Sequence, residues 1–146
     1  MSLTRIRKCT AGDFEAIYAL LLQLWPGKEL HKDILRNLYN QGLNSTNEGY
    51  YGVECDGRLI GFCSISFKNS LWQEGCLGDI NELIIDQTLR KQGLGKDLLD
   101  AVFRGARQRG CFRVELASSL ARVQASDFYL KMGFEKRASV FSKMLE

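Results

Sequence analysis

From Leu83 to Gly95 the chain reads Leu-Ile-Ile-Asp-Gln-Thr-Leu-Arg-Lys-Gln-Gly-Leu-Gly: an apolar strand, a polar turn, and the opening of a helix. The first N–H groups of a helix have no partner within it and lie at the positive end of its dipole, so such a start attracts anions. Glycines at 93 and 95 remove the Cβ atoms that would hold a phosphate away from those amides. From Asp86 to Arg113 seven bases, among them Arg90, Lys91 and Lys96, stand against three acids. The chemistry to expect is the holding of a small anionic ligand. A helix start that uses two glycines for tight packing, beside a solvated basic face, has the same composition.

Counting tests two commoner glycine loops. A Walker-type loop needs glycine five residues before the glycine of Gly-Lys, where this chain has Arg90, and Lys96 is followed by Asp97 rather than Ser or Thr. A dinucleotide fingerprint needs a third glycine at the position of Leu98. Both are excluded.

Two further side chains have types that could move protons. Glu82 opens the stretch Asn81-Glu82-Leu83-Ile84-Ile85, and an ionised group in an otherwise apolar strand needs a reason. A strand-end carboxylate facing water is the simplest one. Tyr129 lies about 100° around a helix from Phe128, off the buried stripe of Ala121, Ala125, Phe128 and Met132. An amphipathic tyrosine with its hydroxyl at the surface fits the same spacing.

The elements that must position these groups follow from periodicity. Leu3–Lys8 alternates as a strand, and Thr10 is an N-cap with Asp13 favouring the helix's positive end. Phe14, Ile17, Leu20, Leu21 and Leu24 make one stripe of a helix that stops near Pro26; a second helix spans about Glu29–Gln41. Tyr50–Cys55 and Leu59–Phe67 flank Asp56-Gly57, a hairpin signal. Leu71–Gly75 is a loop and Leu77–Asp86 a strand. Gly93–Arg109 is an amphipathic helix with Gly110 as its C-cap. Phe112–Ala117 is a strand, about Ala121–Met132 a helix, and Phe134–Leu145 a last strand. The expected class is α/β, mixed α+β: one domain over 1–146, in the order β-α-α-β-β-β-α-β-α-β, with helices on both faces of a mixed, mostly antiparallel sheet.

Arg-x-x-Gly-x-Gly directly after a strand resembles the acyl-CoA pyrophosphate loop of the GNAT superfamily of N-acetyltransferases. Ala125-Ser126-Asp127-Phe128-Tyr129-Leu130-Lys131-Met132-Gly133-Phe134 is similar to that family's A-x-x-F-Y-x-x-x-G-F segment, and the element order matches over nearly the whole chain. The resemblance implies an acetyl-CoA-dependent N-acetyltransferase in which a neutral amine attacks the thioester in a ternary complex. It implies that Tyr129 protonates the leaving thiolate and that Glu82, directly or through a water, is the base, with Asp79 as rival. It places the cofactor along Leu83, Ile84 and Ile85 and over Arg90, Lys91, Gln92, Gly93, Leu94, Gly95 and Lys96. Arg122 stands where many relatives have Asn, and it would reach a CoA phosphate, reach a substrate acid, or simply be solvated.

The first half, with Leu21-Leu22-Gln23-Leu24-Trp25-Pro26, resembles aminoglycoside 6'-N-acetyltransferases. The second half resembles aminoalkylphosphonate acetyltransferases and general small-molecule members. The resemblance places the acceptor pocket among Trp25, Glu29, His31, Asp33, Tyr39, Trp72 and Glu74. The expected acceptor is a small-molecule amine. A protein lysine or N-terminus is the alternative, and a non-catalytic acyl-CoA-binding regulatory module is the second.

The remaining features bound the setting. The net charge of +3 is too small to argue for nucleic acid. No apolar run approaches the ~20 residues of a membrane span, and the N-terminus lacks a signal-peptide stretch, so a cytoplasmic protein is expected. Cysteines at 9, 55, 63, 76 and 111 form no C-x-x-C pair, so reduced thiols and no metal site are expected. A second copy of the chain, as a homodimer, is a further possible partner.

Overall fold

The computed structural model describes residues 3–90, 92–120 and 122–145. Two compact units divide the chain, one up to Glu115 and one from Leu116 onward. The strands are β1 Thr4–Lys8, β2 Glu48–Cys55, β3 Arg58–Ser70, β4 Gly75–Ile85 and β5 Arg113–Leu116. The helices are α1 Phe14–Leu24, α2 Lys32–Leu43, α3 Leu94–Arg109 and α4 Val123–Lys131. The sheet runs β1-β2-β3-β4-β5, and its first four strands form an antiparallel meander.

In the first unit, α1 and α2 cover one sheet face and α3 the other. Ile17, Leu20, Leu21 and Leu24 of α1 share a buried cluster with Tyr39 of α2, Phe62 of β3 and Ile84 of β4. On the opposite face Leu98, Leu99 and Val102 of α3 are fully buried. The β2–β3 turn is the expected one: Asp56 and Gly57 both have positive φ, 51° and 82°, which lets a two-residue hairpin follow the twist of its strands.

The helical stripe of α1 starts from a polar clamp. Asp13 accepts from the Thr10 N–H at 2.7 Å and takes a two-pronged bond from Arg7, at 2.8 and 2.9 Å. Arg7 also donates to Glu54 on β2 at 3.0 Å, so one guanidinium ties β1, β2 and the entry to α1 together. The Arg7 bonds, above all, hold the Asp13 carboxyl below the ordinary carboxylate range.

The α/β class stands, but one strand of the expected order does not form. Residues 134–145 carry no regular element. Val140-Phe141 and Met144-Leu145 are adjacent apolar pairs that would put one residue on each face of a strand, and all four are exposed, so no buried face fixes this segment as one. Boundaries move elsewhere by a few residues. The second helix begins at Lys32 rather than Glu29, and β3 runs on to Ser70. Ala121, the expected start of the fourth helix, lies outside the described residues.

In the second unit α4 ends in a glycine turn. Gly133 has φ of 94°, a left-handed conformation that favours glycine, and the Phe134 N–H returns to the Tyr129 carbonyl at 3.1 Å. This reversal lays the Phe134 ring edge-on to the Tyr129 ring, with centroids 5.8 Å apart. The Gly-Phe of the motif is therefore the support of its tyrosine.

Candidate active site

The loop begins where β4 ends. Asp86 accepts from both the N–H and the hydroxyl of Thr88, at 3.0 and 2.7 Å, closing a tight turn, and the Gln87 N–H is held by Gln23 of α1 at 2.9 Å. Arg90 bends back, its Nε donating to the Ile85 carbonyl at 3.1 Å. Gly93 then has φ of 78°, and among the described residues a Cβ there would meet no atom within 4 Å. The space in front of it is open, and the glycine is required by the backbone conformation rather than by packing. The first bond of α3 joins the Asp97 N–H to the Gly93 carbonyl at 3.1 Å. The amides before Asp97 thus precede the helical ladder and suit a pyrophosphate. Leu94 is buried and anchors the helix start in the core.

Other residues expected at the cofactor divide by what they touch. Ile84 is part of the hydrophobic core, so only its backbone can serve a ligand. Leu83 and Ile85 face the α3 side of the sheet, paired with Cys63 and Gly61. Lys96 forms an ion pair with Asp100 at 2.9 Å along the helix. Gln92 is exposed, and Lys91 lies outside the described residues. Arg122 is exposed at the N-cap of α4, its N–H on the Ser119 carbonyl at 3.0 Å.

Glu82 is set by an irregularity in β4. Ser64 pairs with Glu82 but its neighbour Ile65 pairs with Ile80, leaving Asn81 as an extra residue. Such a bulge re-aims the side chains beyond it. Ile80 faces α3, while Glu82 turns to the opposite face, in a cross-strand row with Ser64 and Tyr50. Ser64, itself buried, donates its hydroxyl to the carboxylate at 2.5 Å and accepts the Glu82 N–H at 3.1 Å. Burial pushes the Glu82 carboxyl above its usual range; the Ser64 bond opposes this, and nearby Glu48 reinforces it.

A second row lies beside the first. Glu48 accepts from Ser66 at 2.8 Å, and Asn81 donates to the same Ser66 at 2.6 Å. Asp79, the rival base, pairs with Ser66 in register and with Lys68 across 3.9 Å. It too is raised, first by burial, with Lys68 opposing and Glu115 reinforcing. Glu48, Asp79 and Glu82 therefore share one sheet face. Sequence reading missed Glu48, Ser64 and Ser66. The period-2 placement of Ser64 and Ser66 in an otherwise apolar strand was the available signal.

Of the residues expected to form the acceptor pocket, Tyr39 is withdrawn into the core. Its hydroxyl donates to the Thr10 carbonyl at 2.6 Å and its ring stacks on Tyr50. Asp33 pairs with Arg36, and Lys28 sits over the Trp25 ring at 5.4 Å. Glu29, His31, Trp72 and Glu74 are exposed. Among the described residues no group of three or more His, Cys, Asp or Glu could hold a metal ion, and no helix is long and apolar enough to cross a membrane.

The family model for the acetyltransferase (GNAT) family matches residues 14–134, which makes the chain an acetyl-CoA-dependent N-acetyltransferase. The chain belongs to that family. It is 29% identical over 145 residues to the aminoalkylphosphonate N-acetyltransferase of Salmonella typhimurium, covering 99% of this chain and 94% of the relative. Glucosamine 6-phosphate N-acetyltransferase of Trypanosoma brucei brucei is 33% identical over 79 residues, covering 53% of this chain and 52% of that one. The structure of the aminoglycoside N-acetyltransferase AAC(6')-Iy in complex with CoA superposes with a TM-score of 0.88 at 22% identity, covering 99% of this chain and 96% of that one, a likeness of fold.

Proposed function

We propose that this enzyme moves an acetyl group from acetyl-CoA to a primary amine of a small molecule, by direct attack within a ternary complex. The observation that carries this is Glu82: a part-buried carboxylate, raised towards neutrality and aimed by a bulge, on the strand that runs into the cofactor loop. Acetyl-CoA supplies an activated acyl thioester. The amides at the α3 start and Arg90 hold its pyrophosphate, and the backbone of Leu83 and Ile85 orients its arm. Glu82, directly or through a water, takes the proton from the incoming ammonium. Tyr129 returns a proton to the leaving thiolate; a phenol is neutral at pH 7 and so is ready to donate. We take both units as parts of one domain, because the family match crosses their boundary.

The acceptor is read from the acid-rich face. Glu48 and Asp79 beside Glu82 favour an amine that arrives as a cation, and such amines occur in both compounds named for the relatives, an aminoalkylphosphonate and an aminoglycoside. Use of acetyl-CoA fits a cytoplasmic setting.

The test is thiol release from acetyl-CoA across a panel of small amines, an acetyl-accepting lysine peptide included, with Tyr129→Phe as control. Turnover with a small amine, and a large drop in kcat for the variant, is the expected result. Turnover confined to the peptide would move the acceptor to proteins. Binding of CoA with no turnover on any amine would overturn the catalytic reading.

A further inference from the structure

Three of the five thiols are not placed to react with another. Cys9 and Cys63 are buried, and burial pushes the Cys9 thiol up to about 12 and raises that of Cys63 as well. Cys55 lies beside Asp56 at the hairpin. Cys76 and Cys111 are different. Their Sγ atoms are 3.0 Å apart, both as free thiols, although 35 positions separate them in sequence. Cys76 is near the start of β4 and half-buried; Cys111 follows the glycine cap of α3 and is buried. The backbone fixes their approach. The Phe112 N–H donates to the Cys76 carbonyl at 3.3 Å, and the Cys111 N–H closes the end of α3 on the Ala106 carbonyl at 2.9 Å.

We propose that Cys76 and Cys111 are a modification site: a dithiol that small-molecule disulfides oxidise to an intramolecular bridge. The Cys76 thiolate attacks one sulfur of oxidised glutathione, whose S–S bond breaks and releases one glutathione thiolate. Cys111 then loses its proton and attacks the Cys76 sulfur of the mixed disulfide, and the second glutathione thiolate leaves and is protonated. The protein gives up two electrons and two protons, and glutathione disulfide becomes two thiols. The sulfurs need about 1 Å of further approach to reach bonding distance. Burial, then the Cys76 neighbour, pushes the Cys111 thiol up to about 11. Cys76, the more exposed of the two, meets the glutathione disulfide first, and Cys111 is the second to react. Capping Cys76 as a mixed disulfide removes the part of that rise that Cys76 causes.

The bridge closes a loop containing the rest of β4, Glu82, the glycine loop and all of α3. A covalent tie between its two ends restricts the unfolded chain and the local opening of the segment. The site is chemically separate from the acyl-transfer groups, so its oxidation state can be read without turnover.

The full chain is incubated with oxidised glutathione under native conditions, alkylated, and analysed by intact mass and peptide mapping. The expected result is loss of two hydrogens, one link between the peptides of Cys76 and Cys111, and a thermal midpoint raised by roughly 5–12 °C. Amide exchange within residues 77–110 slows. Cys76→Ser abolishes the link and the shift, whereas Cys55→Ser keeps both. A glutathione adduct that persists at Cys76, a link through Cys55, or no reaction at either thiol when the urea-unfolded chain reacts fully would each overturn the proposal.

Discussion

The Ser64 hydroxyl lies 2.5 Å from a carboxylate oxygen of Glu82, and the Glu82 N–H lies 3.1 Å from that same hydroxyl oxygen. One serine thus holds both the head and the backbone of the proposed base. Because it donates to the charged form, it lowers a carboxyl that burial raises. Ser64→Ala removes the lowering influence and leaves burial and Glu48. The acid limb of the kcat/KM pH profile is expected to move to higher pH in this variant. A limb that stays in place would show that Glu82 is not the group the profile reports.

Glu82→Gln separates catalysis from stability. As the base is lost, kcat/KM is expected to fall by about 10²–10⁴. Stability moves the other way. The folded-state pKa of Glu82 is raised, so its charged form weakens the fold once pH rises through that value. The variant is therefore expected to melt higher than wild type near pH 8. Below the unfolded-state value, about 4.3, that gain disappears. Melting curves across pH 4–8 check the sign.

Gly93→Val tests the loop. Its φ of 78° costs an L-residue about 1–2 kcal/mol, more for a β-branched one, and its side chain would occupy space that no atom of the described residues fills. CoA affinity is expected to fall by at least about tenfold, measured by calorimetry on a variant whose circular dichroism matches wild type. Unchanged affinity in a folded variant would remove the loop from the cofactor site.

Asp13→Asn tests the clamp at the entry to α1. It trades a two-pronged charged bond from Arg7 for a neutral one, at a cost of about 2 kcal/mol near pH 7. Asp13 has a lowered folded-state pKa, so the stability it contributes is present above about 3.9 and is lost as pH falls through the folded value. The gap in urea midpoint between wild type and variant is expected to close on acidification; its sign is opposite to that for Glu82, since here the variant is the weaker of the two.

What could be read from the sequence was what is local. The glycine loop spans a handful of residues, and the expectation of an anion there rests on helix ends alone, so it drew on no tertiary information. The Asp56-Gly57 turn was equally local. The partners of Glu82 were not. Counting outward from that turn would pair the strands one residue out of step beyond Glu54, because the register shifts between Val53 and Glu54. A one-residue slip exchanges the two faces, so Glu48 could not be joined to Ser66 by counting from that turn, and the separate shift between Ser64 and Ile65 hid the pairing of Ser64 with Glu82. Tyr39 failed for a related reason. Its helix was foreseeable, but not the Thr10 carbonyl that draws its hydroxyl inward.

Asn81 gives β4 a change of phase. Before it, even-numbered residues such as Gly78 and Ile80 look toward α3; after it, odd-numbered ones such as Leu83 and Ile85 do. Glu82 is therefore even-numbered on the side that only odd-numbered residues occupied before it. Excising Asn81 would close the ladder yet leave every later side chain on its present face, since the surplus residue and the parity change vanish together. Such a deletion would remove the local kink while keeping the outlook of Glu82, and so would distinguish a strand that merely displays its carboxylate from one that must also bend to admit a thioester.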